Sequence, residues 1–212
     1  MYTPRAFALD DLPELHQLIQ HTRLAQLVTF GEQGLLASHL PLLLNPDEGP
    51  NGTLYGHLAK ANPQWTDLQN GSDALVIFAG AEAYISPAFY PAKAEHGKVV
   101  PTWNYIAVHA YGNAEVFSDV ERLLGVVTAL TDRHEGDRAQ PWKVSDAPAD
   151  YIEGMLKAIV GFALPIDRLI GKRKLSQNRS PADIAGVRDG LAASTDVRDQ
   201  TLARFIPRGA SE

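Results

Sequence analysis

The chain has 212 residues, of which 45% are hydrophobic, 21% charged and 8% aromatic, a globular composition that excludes a disordered, collagen-like or coiled-coil protein. Its 19 Lys and Arg against 25 Asp and Glu give a net charge of −6, so long-range electrostatics repel a phosphate backbone and any DNA binding has to rest on a local patch. The absence of cysteine removes disulfides, thiolate metal sites, Fe–S clusters and Cys nucleophiles, and leaves stability to an apolar core.

From Met1 to Asp11 the sole apolar stretch is Ala6 to Leu9, too short for the core of a signal peptide. The longest greasy run, Leu35 to Leu44, is interrupted by Ser38, His39 and Pro41 and falls far short of the ~20 residues that span a bilayer. A cytoplasmic protein without a membrane partner is expected. Asp11 and Glu14 as a capping pair, with Leu12, Leu15 and Ile19 at helical spacing, predict a first helix ending near His21. Ala25 to Phe30, Leu35 to Leu44 and Thr53 to Ala59 read as strands of an antiparallel meander, separated by turn formers. Ala74 to Phe78, apolar throughout, predicts a strand buried on both faces, and Gly80 a turn or bulge before Glu82 to Ser86.

Thr102 to Phe117 has period two, with Trp103, Tyr105, Ala107, His109 and Tyr111 on one face and Thr102, Asn104, Ile106, Val108 and Ala110 on the other. It predicts one long strand or a hairpin broken at Gly112. Ser118 and Glu121 then suggest a capping box for a helix with Val120, Leu124, Val127 and Leu130 on its stripe, and Pro148 opens another through Tyr151, Met155 and Ile159. Alternation returns from Val160 to Ile170, and Ser180, Pro181 and Asp183 start a helix with Ile184, Val187 and Leu191 inward, before a short last helix within Val197 to Phe205. Early antiparallel strands with helices inserted between and after them predict an α+β barrel over one domain, residues 1–212, rather than a parallel sheet. The sequence contains no G-x-G-x-x-G, P-loop or G-x-S-x-G motif, which removes Rossmann, P-loop and hydrolase-elbow readings.

Three segments could carry chemistry. In Gly56-His57 through Lys60, Asn62, Pro63, Gln64 and Trp65, a strand runs past a Lys into an Asn-capped helix, which makes either an anion site or simply a cap beside a solvated lysine. Thr102-Trp103-Asn104-Tyr105, with His109 further along, suits either core packing or a wall that stacks on a planar ring while amides read its edge. Lys172 to Arg179 places four cations in eight residues before a capped helix, either a solvated loop or a second anion site. None of the seven histidines falls in an H-E-x-x-H or paired-ligand spacing, so no metal site is expected. His39 and His57, each midway along a strand, could approach each other or a ligand.

The runs Ser38-His39-Leu40-Pro41, Gly56-His57 through Trp65, Ala83-Tyr84-Ile85-Ser86-Pro87, Val100 through Tyr105, Ser145-Asp146-Ala147-Pro148 and Lys174-Leu175-Ser176-Gln177-Asn178-Arg179 resemble, in order and spacing, the PaiB-type family of FMN-binding negative transcriptional regulators. The likeness covers nearly the whole chain. It departs at Lys60, where Arg is frequent, at Phe89, where Trp is frequent, and at Ala163 and Ile170, where acidic residues are common. Lys60 keeps the charge without the bidentate fork. The resemblance implies an antiparallel FMN-binding split β-barrel of the pyridoxamine-phosphate-oxidase kind, with peripheral and C-terminal helices, working as a homodimer with FMN in a cleft at its interface. The cofactor contacts it implies fall on Ser38, His39, His57, Lys60, Asn62, Gln64, Trp103, Asn104, Tyr105, Lys174, Gln177, Asn178 and Arg179. No catalytic acid or base stands out. Ser118 to His134 with Asp146 to Ile159, the candidate helix pair for a helix-turn-helix, is net acidic or neutral, so direct DNA binding is weakly supported. The other readings are an FMN-dependent oxidoreductase and, less favoured, a haem protein using His39, His57 or His109 as an axial ligand.

Overall fold

A computed structural model describes residues 1–208; residues 209–212 of the expected single domain lie outside them. In chain order the elements are β1 (Ala8–Leu9), α1 (Leu12–His21), β2 (Ala25–Gly31), β3 (Gly34–Leu40), β4 (Leu43–Asn45), β5 (Thr53–Ala59), α2 (Gln64–Gln69) and β6 (Ala74–Ile85). There follow α3 (Ala92–His96), β7 (Thr102–Gly112), β8 (Glu115–Phe117), α4 (Val120–Glu135), α5 (Ala149–Lys157), β9 (Ile159–Pro165), β10 (Arg168–Lys174), α6 (Pro181–Ala192) and α7 (Val197–Ala203). The fold is thus the expected α+β class, antiparallel sheets with peripheral and C-terminal helices. The chain divides into two compact units, one of Met1–Asp11, Ala79–Val108 and the chain from Ile170 onward, the other of Leu12–Phe78 and His109–Leu169.

In the second unit, β2 and β3 make a tight hairpin in which Gly31 faces Gly34, whose φ of 87° suits a residue without Cβ. The expected strand Leu35 to Leu44 is two strands, because Pro41 has no N–H for a ladder and ends β3. A sheet of order β4-β5-β9-β8 follows, with Gly56 opposite Phe162 and His57 opposite Gly161. A Cβ on Gly56 would stand 2.5 Å from Leu42 and 2.9 Å from Phe162, so this glycine of the Gly56-His57 run serves close packing.

The helix α4 differs from expectation by one residue at its start. Asp119, not Ser118, is the N-cap, its side chain accepting from Arg122 N at 2.9 Å, and the inward stripe is Leu123, Val126 and Leu130, packed with Phe117 and Leu156. Val120 and Leu124 therefore stay exposed. In α5, Leu156 turns inward while Tyr151 and Met155 are exposed, and Ile159 begins β9 instead of ending the helix.

In the first unit the strand order is β1, β10, β7, β6. The apolar run at the start of β6 is not buried on both faces: Ala74, Val76 and Phe78 are buried while Leu75 and Ile77 are half-exposed. Gly80 makes no turn, and β6 runs through it, because a Cβ there would lie 3.1 Å from Ile106 and the bare backbone lets the two strands close up. Along β7, Asn104, Ile106 and Val108 are buried and Trp103 and Tyr105 face outward. Ser180 caps α6 by accepting from Asp183 N, Pro181 opens it, and Val187 and Leu191 are buried; Leu202 and Ala203 anchor α7.

Candidate functional site

The predicted residues form two groups, one in each unit. In the second unit the corner between β5 and α2 is fixed by its own polar groups. Asn62 Oδ1 accepts from Gln64 N at 3.0 Å, and Asn62 Nδ2 donates to Ser38 Oγ on β3 at 2.9 Å. Gln64 is fully buried, its Nε2 donating to Leu27 O at 3.0 Å and Leu36 O at 3.2 Å, so its amide fastens α2 to the β2–β3 hairpin. Trp65 Nε1 donates to Lys60 O at 3.0 Å and Lys60 N to Ala158 O at 2.9 Å. The backbone of Lys60 is thereby pinned while its side chain is exposed, a single cation at a rigid corner. His39 is exposed on β3. His57 lies on a strand of the other sheet, beside α4 and α5, and lines a cavity with Val127, Trp142 and Tyr151; burial holds its imidazole below the ordinary range, hence neutral at pH 7.

In the first unit the turn from β10 into α6 is built around a buried amide. Asn104 Nδ2 donates to Ser176 Oγ at 2.9 Å, and Asn104 Oδ1 is buried without a partner among the described residues. Ser176 has φ 63°, a left-handed conformation that costs an L-residue about 1–2 kcal/mol. Gln177 is used by the turn itself, Oε1 accepting from Leu175 N at 2.7 Å and Nε2 donating to Arg173 O, while Asn178 is exposed. Asn104 points into the buried face of β7, so it does not share a wall with Trp103 and Tyr105 as an amide reader would.

Three cations gather here, Lys172 buried and Lys174 and Arg179 half-buried. Lys174 Nζ donates to Trp103 O at 2.6 Å and to Thr102 Oγ1. Lys172 Nζ donates to Tyr2 O at 3.0 Å and sits 5.0 Å from the Tyr105 ring centroid, and the Arg179 guanidinium lies 5.1 Å from that of Tyr90. Burial, then the charges of Lys172 and Arg179, push the Lys174 ammonium below its ordinary range. Beside it Trp103, 51% exposed, meets Tyr84 edge to face at 6.1 Å. Unmatched positive charge next to open aromatic surface is the chemistry of a site for a planar, anionic ligand.

Sequence reasoning missed three contributors. Tyr84 had a signal, its place in the run Ala83 to Pro87 two residues from Glu82 on the same face of β6. Tyr90, whose buried hydroxyl has no hydrogen-bond partner among the described residues, and the left-handed Ser176 had none, since both depend on tertiary packing. Among the described residues no group of three or more His, Cys, Asp or Glu could hold a metal ion, and no helix is long and apolar enough to cross a membrane.

Residues 1–168 match a protein family described as "Putative FMN-binding domain". The chain is 34% identical to the protease synthase and sporulation protein PAI 2 of Bacillus subtilis, over 97% of this chain and 96% of that one. It is 35% identical to an uncharacterized protein of Aspergillus fumigatus over 90% of each. In fold it is similar to the FAD and heme binding protein of Mycobacterium smegmatis, with a TM-score of 0.56, 19% identity, and 87% and 78% of the two chains covered.

Proposed function

The chain belongs to this FMN-binding family, its cofactor is FMN, and from that premise we propose that it is a negative transcriptional regulator of the PaiB type, sensing a ligand or the redox state of its flavin within a homodimer of split barrels. PAI 2 is, by its name, concerned with protease synthesis and sporulation, an outcome that control of transcription would serve. The observation that carries the reading is Lys174, bonded to the backbone of the exposed Trp103, which meets Tyr84, and lying close enough to feel the charges of Lys172 and Arg179. FMN fits these residues in kind: its phosphate would answer the cations and its ring the aromatic surface. Lys60, held at its rigid corner beside Asn62, is the phosphate ligand proposed in the other unit. Bound FMN supplies electron-transfer chemistry on a planar ring; the chain binds and orients it.

Lys60→Ala is expected to weaken FMN binding by about 1.5–3 kcal/mol, and by less at high salt; an unchanged affinity in a fluorescence titration would remove Lys60 from the site. The exposed Tyr84, Trp103 and Val100 are surface that a second copy would cover, and sedimentation at micromolar concentration should give twice the 23.1 kDa of the chain. A species at 23.1 kDa would overturn the dimer.

One observation favours action through partners over direct operator binding. Both α4, with Glu121, Asp132 and Glu135 against Arg122 and Arg133, and α5, with Asp150 and Glu153 against Lys157, are net acidic, unlike a recognition helix. Random duplex DNA should therefore bind weakly at about 0.15 M salt, and submicromolar, salt-steep binding in an anisotropy titration would move the regulator onto the operator. Rapid bleaching of the bound flavin by a nicotinamide cofactor, with turnover on an acceptor, would instead favour the oxidoreductase reading.

A further inference from the structure

In the second unit, β6, β2 and β3 present an outward face that carries no charge. Val28 stands opposite Ala37 on one side and Leu75 on the other, Phe30 opposite Leu35, and Gln26 opposite both His39 and Ile77. Residues directly opposite in an antiparallel pair share a face, as do residues two apart along a strand, so these side chains lie together. The alternate residues Ala25, Leu27 and Thr29 are buried on the other face. Phe30 and Leu35 are 67% and 73% exposed, Ala37 and His39 are exposed, and Val28, Leu75 and Ile77 are half-exposed. A strand apolar at every position, as β6 is from Ala74 to Phe78, is ordinarily covered on both faces; here one cover is missing. Beside it β3 pairs with β2 alone. Its seven residues, Gly34–Leu40, include no Asp, Glu, Lys, Arg or Pro, the usual guards of an open strand edge.

We propose that this face is covered by a second copy of the chain, sheet against sheet about a two-fold axis. The inference rests on the proposed homodimer and deepens it by naming a contact in this unit, whereas Tyr84, Trp103 and Val100 belong to the other. Charge selects the occupant. The chain carries −6, so an unlike partner drawn to it would be basic, and it would meet no carboxylate among the strand residues of this face. A second copy carries the same −6 and approaches closely only where like charges do not meet. Glu32 and Asp73 are placed accordingly, one in the hairpin turn and the other before β6, off the paired strands. Phe30, Leu35, Val28, Leu75 and Ile77, with the small Ala37 among them, suit interdigitation at the ~10 Å spacing of packed sheets. A two-fold contact also uses up the face on both copies, so that association stops at two.

The test uses the full chain loaded with FMN. Sedimentation equilibrium over a wide concentration range gives the dimer dissociation constant of the wild type, Phe30→Lys, Leu35→Lys and the double variant. An ammonium at these exposed positions costs the single chain little but is desolvated when a second copy covers it. Each substitution should therefore raise the constant about tenfold or more, and the two together about a hundredfold or more. A second readout leaves the contact intact. The chain has no cysteine, so Ala37→Cys introduces a single thiol on the face. Its rate of labelling by dithionitrobenzoate should fall several-fold as concentration rises through the dimer range, while Ala149→Cys, at an exposed position of α5, labels at one rate throughout. A wild-type dimer that survives the double substitution, or a thiol in Ala37→Cys that labels equally fast at both ends of the range, would overturn the proposal and leave the homodimer standing. A wild type that stays at 23.1 kDa would overturn both. Growth beyond two chains with rising concentration would overturn the closed two-fold contact.

Discussion

The β5–α2 corner and the β10–α6 turn are each proposed as an anion-binding segment, yet they differ in backbone and in charge. At the corner the Asn62 side chain is satisfied at both ends, Gln64 Nε2 bridges two carbonyls and Trp65 ties down Lys60 O, while Gln64 Oε1 is buried without a partner among the described residues. Its one exposed cation costs the fold nothing. At the turn Ser176 is left-handed, Asn104 Oδ1 and Tyr90 OH are buried and unpartnered among the described residues, and Lys174 is held near two other cations. Tension of this kind collects where a ligand completes the structure. What differs is the backbone and the charge: the corner carries one cation and no left-handed residue, so it depends less on an anion than the turn, where three cations meet at a left-handed Ser176.

The largest test of that contrast is at the corner. Gln64→Ala removes a fully buried amide with two hydrogen bonds and opens a cavity, and should lower the unfolding free energy by about 3 kcal/mol in urea titrations. A loss near zero would mean that α2 does not depend on the hairpin, and the corner's side of the contrast would go with it.

Next in size is the flavin. Lys174→Met should weaken FMN by about 1.5–3 kcal/mol, while the chain without flavin becomes no less stable, because the substitution relieves the repulsion from Lys172 and Arg179. Lys60→Ala offers no such relief. If Lys174→Met destabilises the flavin-free chain instead, the bonds to Thr102 and Trp103 O outweigh the crowding, and the turn depends on an anion no more than the corner does.

Smaller still is the backbone term. In Ser176→Gly the gain from removing Cβ at φ 63°, about 1 kcal/mol, should nearly cancel the lost bond to Asn104, also about 1 kcal/mol. Ser176→Ala keeps the strain and loses the bond, so it should be the less stable of the pair by about 1 kcal/mol. Equal stabilities by thermal unfolding would show that the left-handed turn stores nothing.

These contrasts also mark what the sequence could say. Alternation and turn formers located β2 and β5 closely because strand period and Gly or Pro punctuation are local properties, whereas the break at Pro41 that separates β3 from β4 was overlooked. The start of α4 slipped by one residue because Ser118 and Asp119 are both competent caps, and that slip rotated the stripe from Val120 and Leu124 to Leu123 and Val126. The structural roles of the motif residues were not legible. Whether Gln64 faces a ligand or two carbonyls, and whether Asn104 looks toward Trp103 or Ser176, is decided by which strands lie across from them.

The smallest effect concerns pH, and it compares His57 with its neighbours in the second unit rather than the two anion sites. Burial lowers the pKa of His57, and of His109 on β7, below the ordinary value of 6.5. In the unfolded chain these imidazoles take up protons as pH falls through about 6.5, while in the folded chain they stay neutral to a lower pH. The unfolded state therefore binds more protons in that window, and stability must fall as the pH is lowered through it. The stability these groups contribute is fully present above the unfolded value and is lost as pH drops toward the folded one. The urea midpoint should accordingly decline between pH 7 and pH 5.5, and His57→Gln, which cannot titrate, should flatten part of that decline while His109 and the carboxylates keep the rest. If wild type and His57→Gln decline with the same slope, the imidazole is not held neutral by its burial.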